Sequence, residues 1–205
     1  MFTGIIRNLG QVKNIGRSDS SHELQVVAEG FFDDSSIGDS VAVNGVCLTI
    51  KKHSSNEACF DLATETIRKT SLSNIQNGKE VNIEKSLRLG QSIDGHLVYG
   101  HVDQTAEILE IIAEDETWKY RFALPVSLIK YFAPKGSVSI DGVSLTIGEV
   151  EKIDDSRFYF TVYIIPHSFN NTIFKSYSAG EVVNIEIDPL ARYAVHAISH
   201  FGNNQ

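Results

Sequence analysis

Apolar and polar residues alternate with period two along much of this chain, the signature of half-buried strands. The clearest run covers residues 40–50, SVAVNGVCLTI. Val41 and Val43 lead into Asn44-Gly45, a tight-turn dipeptide, and a second strand follows. In that second strand Val46, Leu48 and Ile50 share one face, while Cys47 and Thr49 share the other. Residues 137–147, SVSIDGVSLTI, repeat the run without a gap, with Asp141-Gly142 at the turn and Ser144 and Thr146 on the face opposite Val143, Leu145 and Ile147. Each copy predicts a rigid hairpin with an apolar core face. Two copies that keep a Ser or Cys and a Thr on the other face point to a ligand-facing wall.

The same pattern organises the rest of the chain into matching halves. Strands are predicted at 2–6, 9–15, 23–28 and 58–62, with a Gly turn and strand from Gly78. The second half has counterparts at 98–102, 105–112 and 121–124, and a Gly turn and strand from Gly180. Short helices or turns are predicted at 64–72 and 166–174, and one with Pro at its first turn at 125–133. About six short strands per half, with Gly and Asn/Asp turns, predict a small closed barrel rather than an open sheet. The fold class is therefore all-β: two tandem six-stranded barrels, with an appended helix. The expected division is 1–97, 98–188 and a tail at 189–205, with the junction near 88–94. In the tail, Leu190, Tyr193, Ala194, Ala197 and Ile198 recur at spacings of three and four, which predicts an amphipathic helix. Each barrel reads as complete without it, so self-association between chains is the preferred use of its stripe over packing on its own chain.

Composition narrows the function. The 205 residues carry a formal charge of −8, which argues against nucleic acid or an anionic membrane as partner. No apolar run predicts a transmembrane helix, and the start, MFTGIIRNLG, lacks the features of a secretory signal. Two cysteines in neighbouring strands, Cys47 and Cys59, suit a reducing cytoplasm. His96 and His101 stand five apart without a ligand pattern around them, so no metal site is expected.

The positions at which the halves differ carry the candidate chemistry. Cys47 matches Ser144, Ile5 matches His101, Glu65 matches His167, Ser86 matches Asp188, and Gly38 matches Lys135. Similar pockets with unequal titratable groups suit a reaction between two copies of one substrate, a donor and an acceptor. Each residue also has a plainer reading. Cys47 reads equally well as a small buried hydrophobe, and Lys135 and Asp188 as solvated charges.

The motifs MFTGI, NGVCLT, ETIRKT, GHLVYGHVD, KGSVSIDGVSLT, IPHS and VNIEID stand in one order over nearly the whole chain. Together they resemble the riboflavin synthase family, alpha-chain type. The resemblance implies two Greek-key barrels and a homotrimer assembled through the C-terminal helix. It implies dismutation of two 6,7-dimethyl-8-ribityllumazine molecules into riboflavin and 5-amino-6-(D-ribitylamino)uracil, with no metal or redox cofactor. It places the active site between the first barrel of one subunit and the second barrel of a neighbour. First-barrel ligand contacts would be Gly4, Ile5, Ile6, Ser40, Cys47, Leu48 and Thr49, with Asp61, Leu62, Ala63, Thr64, Glu65 and Thr66. Second-barrel contacts would be Gly100, His101, Val102, Lys135, Ser144, Leu145 and Thr146, with Ile165, Pro166, His167, Ser168, Phe169 and Asn170. Within these, His101 is the candidate acid/base. Cys47 or Ser144 would deliver or position a nucleophile, and Asp188 would orient a neighbour or polarise water. Lumazine synthase is a possible further partner. Tyr99, Asp94 and Ser168 stand where the family usually has Ser, Gly and Thr. The competing reading is a non-catalytic lumazine- or flavin-binding protein with the same double barrel.

Overall fold

The computed structural model describes residues 1–17 and 22–201. The predicted polar loop at 17–21 therefore falls almost wholly outside the described residues, as does the end of the tail. The first barrel comprises β1 (Asn8–Arg17), β2 (His22–Val27), β3 (Ser40–Val43), β4 (Val46–His53), β5 (Glu57–Leu62) and β6 (Glu80–Lys85). They close in the order β1-β2-β5-β4-β3-β6. The second comprises β7 (Gln104–Glu114), β8 (Thr117–Pro125), β9 (Ser137–Ile140), β10 (Val143–Lys152), β11 (Arg157–Ile164) and β12 (Val182–Ile187), closing in the corresponding order. In each, three successive strands form a meander and the strand before them returns beside the last, a Greek key. Closure satisfies the strand edges that a unit this small would otherwise expose.

The repeated hairpins form as their sequences dictate. Asn44 and Gly45 have φ of 45° and 72°, and Asp141 and Gly142 have 43° and 82°. Positive φ at both central residues is the type I′ geometry that matches strand twist. Each barrel fills with its own inward residues: Leu24, Val41, Val43, Ile50, Phe60 and Ile83 in the first, Ile108, Phe122, Phe158, Phe160 and Ile185 in the second. Each fully buried large side chain contributes about 1.5–3 kcal/mol. Short helices follow the fifth strand of each barrel, α1 (Thr64–Lys69) and α2 (Pro166–Asn171). Residues Val126–Tyr131 make a 3₁₀ turn after Pro125. The tail is helical as predicted, α3 (Pro189–Phe201), and its first turn is tied down by a bidentate contact of Arg192 with Asp103 (both 2.8 Å).

Two predicted strands do not form. Residues 2–6 and 98–102 share only one bridge, Phe2 with Val98, and otherwise run as irregular chain. They are apolar because they lie sandwiched between the barrels. Buried carboxylates replace a ladder for them. Glu84 of β6 accepts from the Thr3 amide (2.8 Å), the Thr3 hydroxyl (2.8 Å) and the Gly4 amide (3.1 Å). Glu186 of β12 accepts from the amides of Tyr99 (2.6 Å), Gly100 (2.8 Å) and His101 (3.0 Å). Burial raises both carboxyl pKa values, and the amide donors pull against it.

The two hairpin turns also meet each other. A Cβ on Gly45 would lie 2.5 Å from the Gly142 amide nitrogen, and one on Gly142 would lie 2.9 Å from that of Gly45, so neither turn glycine tolerates a side chain. Around this contact Asn82 donates to the Asp141 carbonyl (2.9 Å) and Asn184 to the Asn44 carbonyl (2.8 Å). The halves are thus joined by a buried polar network with paired members.

Candidate functional site

The outer faces of β4 and β10 are built as the alternation predicts. Val46, Leu48 and Ile50 are buried, Cys47 is half-buried and Thr49 exposed. Val143 and Ile147 are buried, Ser144 and Leu145 half-buried, and Thr146 exposed. Ser40 is the register partner of Thr49, as Ser137 is of Thr146. Beyond the threonines stand Lys51 and Gly148.

The grouping by half is different from the one that sequence order suggests. Gly4 sits on the second barrel: its carbonyl accepts from the Ser144 amide (2.8 Å), and a Cβ on it would lie 2.6 Å from that of Ser144. Gly100 sits on the first: its carbonyl accepts from the Cys47 amide (2.9 Å), and its Cβ would lie 2.5 Å from that of Cys47. Ile6 is buried in the second core and Val102 packs on the first. Gly4, Ile5 and Ile6 therefore belong with Ser144 and Thr146, while Gly100, His101 and Val102 belong with Cys47 and Thr49. The cause is the crossing of the two irregular segments, each pinned by a carboxylate on one barrel and laid on the hairpin of the other.

The first-barrel group thus comprises Thr49, Cys47, His101 and the 61–66 segment. His101 is exposed and packs edge-on to Tyr99, with ring centroids 6.2 Å apart. Cys47 packs against Phe2, Ala42 and Val98, an apolar setting. Asp61, Ala63, Thr64 and Glu65 are exposed, Thr66 is half-buried and Leu62 is buried. Leu48 and Leu62 point into the core, which leaves only their backbone groups for a ligand. Lys51 donates to Asp61 (2.7 Å) and Glu23 (3.1 Å), and both carboxylates raise the lysine pKa.

The second-barrel group comprises Ser144, Thr146, Lys135 and the 165–170 segment. Ile165, Pro166, His167 and Asn170 are exposed, and Ser168 and Phe169 are half-buried. Lys135 is exposed with φ of 69°, and its amide donates to the Ile147 carbonyl (2.8 Å). Asp188 caps α3, its carboxylate accepting from the Leu190 amide (2.9 Å).

His96 is the residue that sequence reasoning passed over. Its Nδ1 lies 2.7 Å from the Ser144 hydroxyl, and its Nε2 is buried without a partner. Burial lowers its pKa, with the charge of Asp188 opposing, so the ring is neutral at pH 7. His96 is thus the hydrogen-bond partner of Ser144, and the charge of Asp188 acts on its ring. Its signal was the GHLVYGHVD motif, in which both histidines follow a glycine.

A cleft of about 740 Å³ lies between loop 29–34 and the junction beside β6, with the candidate contact Ile5 in its wall. Its cations are already paired, Lys85 and Arg88 with Asp34 and Arg7 with Asp94. Among the described residues no three His, Cys, Asp or Glu side chains gather to hold a metal, and no helix is long and apolar enough to cross a membrane.

The twin barrels are what the comparisons with known proteins bear on. The lumazine binding domain model matches twice, over residues 3–86 and 99–188. This chain belongs to the riboflavin synthase family. Riboflavin synthase of Brucella abortus is 40% identical over 201 residues, covering 95% of this chain and 96% of that one. The Bacillus subtilis enzyme is 35% identical over 205 residues, covering 100% and 93%. The Actinobacillus pleuropneumoniae enzyme is 39% identical over 194 residues, covering 94% and 87%. Among solved structures, LumP complexed with riboflavin superposes with a TM-score of 0.80 at 24% identity, covering 91% of this chain and 99% of that one. LumP complexed with 6,7-dimethyl-8-(1'-D-ribityl) lumazine gives 0.78 at 23%. These two establish the shared double-barrel fold.

Proposed function

We propose that this chain is a riboflavin synthase that converts two molecules of 6,7-dimethyl-8-ribityllumazine into riboflavin and 5-amino-6-(D-ribitylamino)uracil. The observation that carries the reading is the full-length similarity, 35–40% identity to three such enzymes, joined to a pair of unequal Thr-bearing faces. One lumazine would lie on the Cys47–Thr49 face and the other on the Ser144–Thr146 face. Backbone groups and the threonine hydroxyls suit the hydrogen-bonding edge of the pyrimidine. The 7-methyl group of a lumazine is acidic because its anion delocalises into the ring. The protein then supplies proximity and proton transfer rather than a strong nucleophile. His101, exposed on the first-barrel group, would be the acid/base toward substrate. The apolar surroundings of Cys47 suit a packing role in the wall of the site.

A homotrimer is part of the proposal, with the face of one subunit's first barrel set against a neighbour's second. The stripe of α3 supports it: Leu190, Tyr193 and Ile198 are 69%, 65% and 71% exposed in the single chain. Such a stripe is used when covered. Association with lumazine synthase and a cytoplasmic setting complete the reading.

The test is to incubate the purified protein with 6,7-dimethyl-8-ribityllumazine alone and follow riboflavin by absorbance and chromatography. One riboflavin per two lumazines consumed supports the reading. Binding without turnover transfers the chain to the non-catalytic class, and neither binding nor turnover removes both.

A further inference from the structure

The second barrel differs from the first most in where its aromatic rings lie. Tyr163 on β11 and Asp61 on β5 occupy the same place, since each is the next-to-last residue of its strand, stands just ahead of the short helix α2 or α1, and pairs in register with Lys119 or Glu23 respectively. Tyr163 is 44% exposed. Its ring lies on Gly148, where a Cβ would come within 3.3 Å of its Cε2 atom. Gly148 follows Thr146 by two, at the register shift of β10 against β11 between Ile147 and Val150. The ammonium of Lys119 is 5.7 Å from the ring centroid and also binds Glu149 (3.0 Å). Nothing flat stands at the matching place in the first barrel. There Lys51 stands at the corresponding shift of β4 against β5 and is held between Glu23 and Asp61.

A second matched pair moves the same way. Phe169 of α2 stacks on Trp118 with centroids 3.7 Å apart and planes at 4°. The equivalent positions of the first barrel hold Ile67 and, by register with Leu62, His22. The wall beside the second site is therefore an aromatic stack, and the wall beside the first is not.

We propose that Tyr163 is a specificity residue: its ring makes the second barrel's site the one that holds the tricyclic product, riboflavin, more tightly than the first. This rests on the reading of the two faces as lumazine sites. A ring fused to a third ring offers more flat surface to a tyrosine than the bicyclic substrate does. A lysine pinned by two carboxylates offers none, and suits hydroxyl groups instead. The lumazine in the second barrel would then be the acceptor. It gains the four-carbon unit that its partner in the first barrel loses, so carbon and electrons balance between the two molecules.

The experiment compares wild type with Tyr163→Ala and Phe169→Ile, titrating each with riboflavin and with 6,7-dimethyl-8-ribityllumazine by calorimetry and flavin fluorescence. Tyr163 lies on the surface, so a matching melting temperature verifies that its variant folds. Tyr163→Ala is expected to weaken riboflavin binding about tenfold, the loss of one ring–ring contact. Lumazine binding should weaken by less than about threefold, because less of its surface meets the ring. Phe169→Ile should weaken riboflavin binding in the same direction by a smaller factor. Equal weakening of both ligands in Tyr163→Ala, or no change in riboflavin affinity, overturns the proposal while leaving the proposed function intact. Failure of wild type to bind either ligand overturns both.

Discussion

The two barrels agree inside and at their seam, and diverge on their outer faces. At the seam the pairs are nearly equivalent: Gly4 and Gly100, Gly45 and Gly142, Asn82 and Asn184, Glu84 and Glu186. Each pair does the same job on opposite sides of one interface, because a crossing segment and a back-to-back turn impose identical steric and hydrogen-bond demands on both halves. The outer faces have no such mutual demand. There Cys47 and Ser144, Lys51 and Gly148, Asp61 and Tyr163, Ile67 and Phe169 have separated. Interlock preserves symmetry; an exposed face is free to lose it.

The largest effects should come from breaking the interlock. Gly4→Val or Gly100→Val combines a positive φ (76° or 75°) with a Cβ placed on its neighbour's. Either should cost about 3–5 kcal/mol, adding strain to overpacking. Denaturant melts would check it, and equal losses from both sides are expected. A variant that keeps wild-type stability would mean that the crossing is dispensable.

The carboxylate anchors come next. Glu186→Ala leaves three amides without an acceptor, and Glu84→Ala two amides and a hydroxyl. At about 1 kcal/mol or more each, a loss of roughly 3 kcal/mol is expected from either. Thermal unfolding of the two variants side by side tests whether the anchors are truly equivalent.

Asp141 and Asn44 offer a sharper comparison, since only one of them titrates. Asp141 is buried, accepts from the Asn184 amide (2.9 Å) and the Tyr177 hydroxyl, and has its pKa pushed up to about 7 by burial. A carboxyl with a raised folded-state pKa stabilises fully below its unfolded value of 3.8. That contribution is lost as pH rises towards about 7. Stability measured across this window should therefore decline in wild type, and Asp141→Asn should flatten the decline. The burial-raised carboxyls Glu84 and Glu186 act in the same direction, so the variant removes one share of the slope. An unchanged slope would show that Asp141 is ionised throughout.

The smallest expected effect concerns the faces themselves. Thr49→Val and Thr146→Val each remove one hydroxyl from an exposed position. Each should raise the KM for lumazine a few-fold, about 1 kcal/mol, with no loss of thermal stability. Steady-state kinetics on both variants would show whether the two faces bind substrate equally.

Much of this was readable in the sequence. The hairpins with their Asn-Gly and Asp-Gly turns, the α3 stripe and the short helices after the fifth strands follow from local periodicity and turn chemistry. Residues 2–6 and 98–102 misled for a physical reason. Their alternation matches a strand, yet it arises from burial between two barrels, and periodicity alone does not distinguish the two. His96 went unread because its partner Ser144 is 48 residues away. Tyr163 lay just outside the segment suggested by motif position, and only β11's pairing with β8 puts it level with Asp61's place in the first barrel.

The sequence by itself determined that the molecule is two copies of one barrel, because alternation, turn dipeptides and the repeat are local and need no partner. It also determined which side chains face outward on β4 and β10, since period two leaves no freedom once one face is core. Only the tertiary structure decided which segment serves which barrel. The exchange of Gly4 and Gly100 between hairpins depends on contacts between residues far apart in the chain, such as Cys47 with Gly100 and Gly4 with Ser144. No local preference encodes such a pairing; it is chosen by the one arrangement in which two glycines, two carboxylates and two turns fit together.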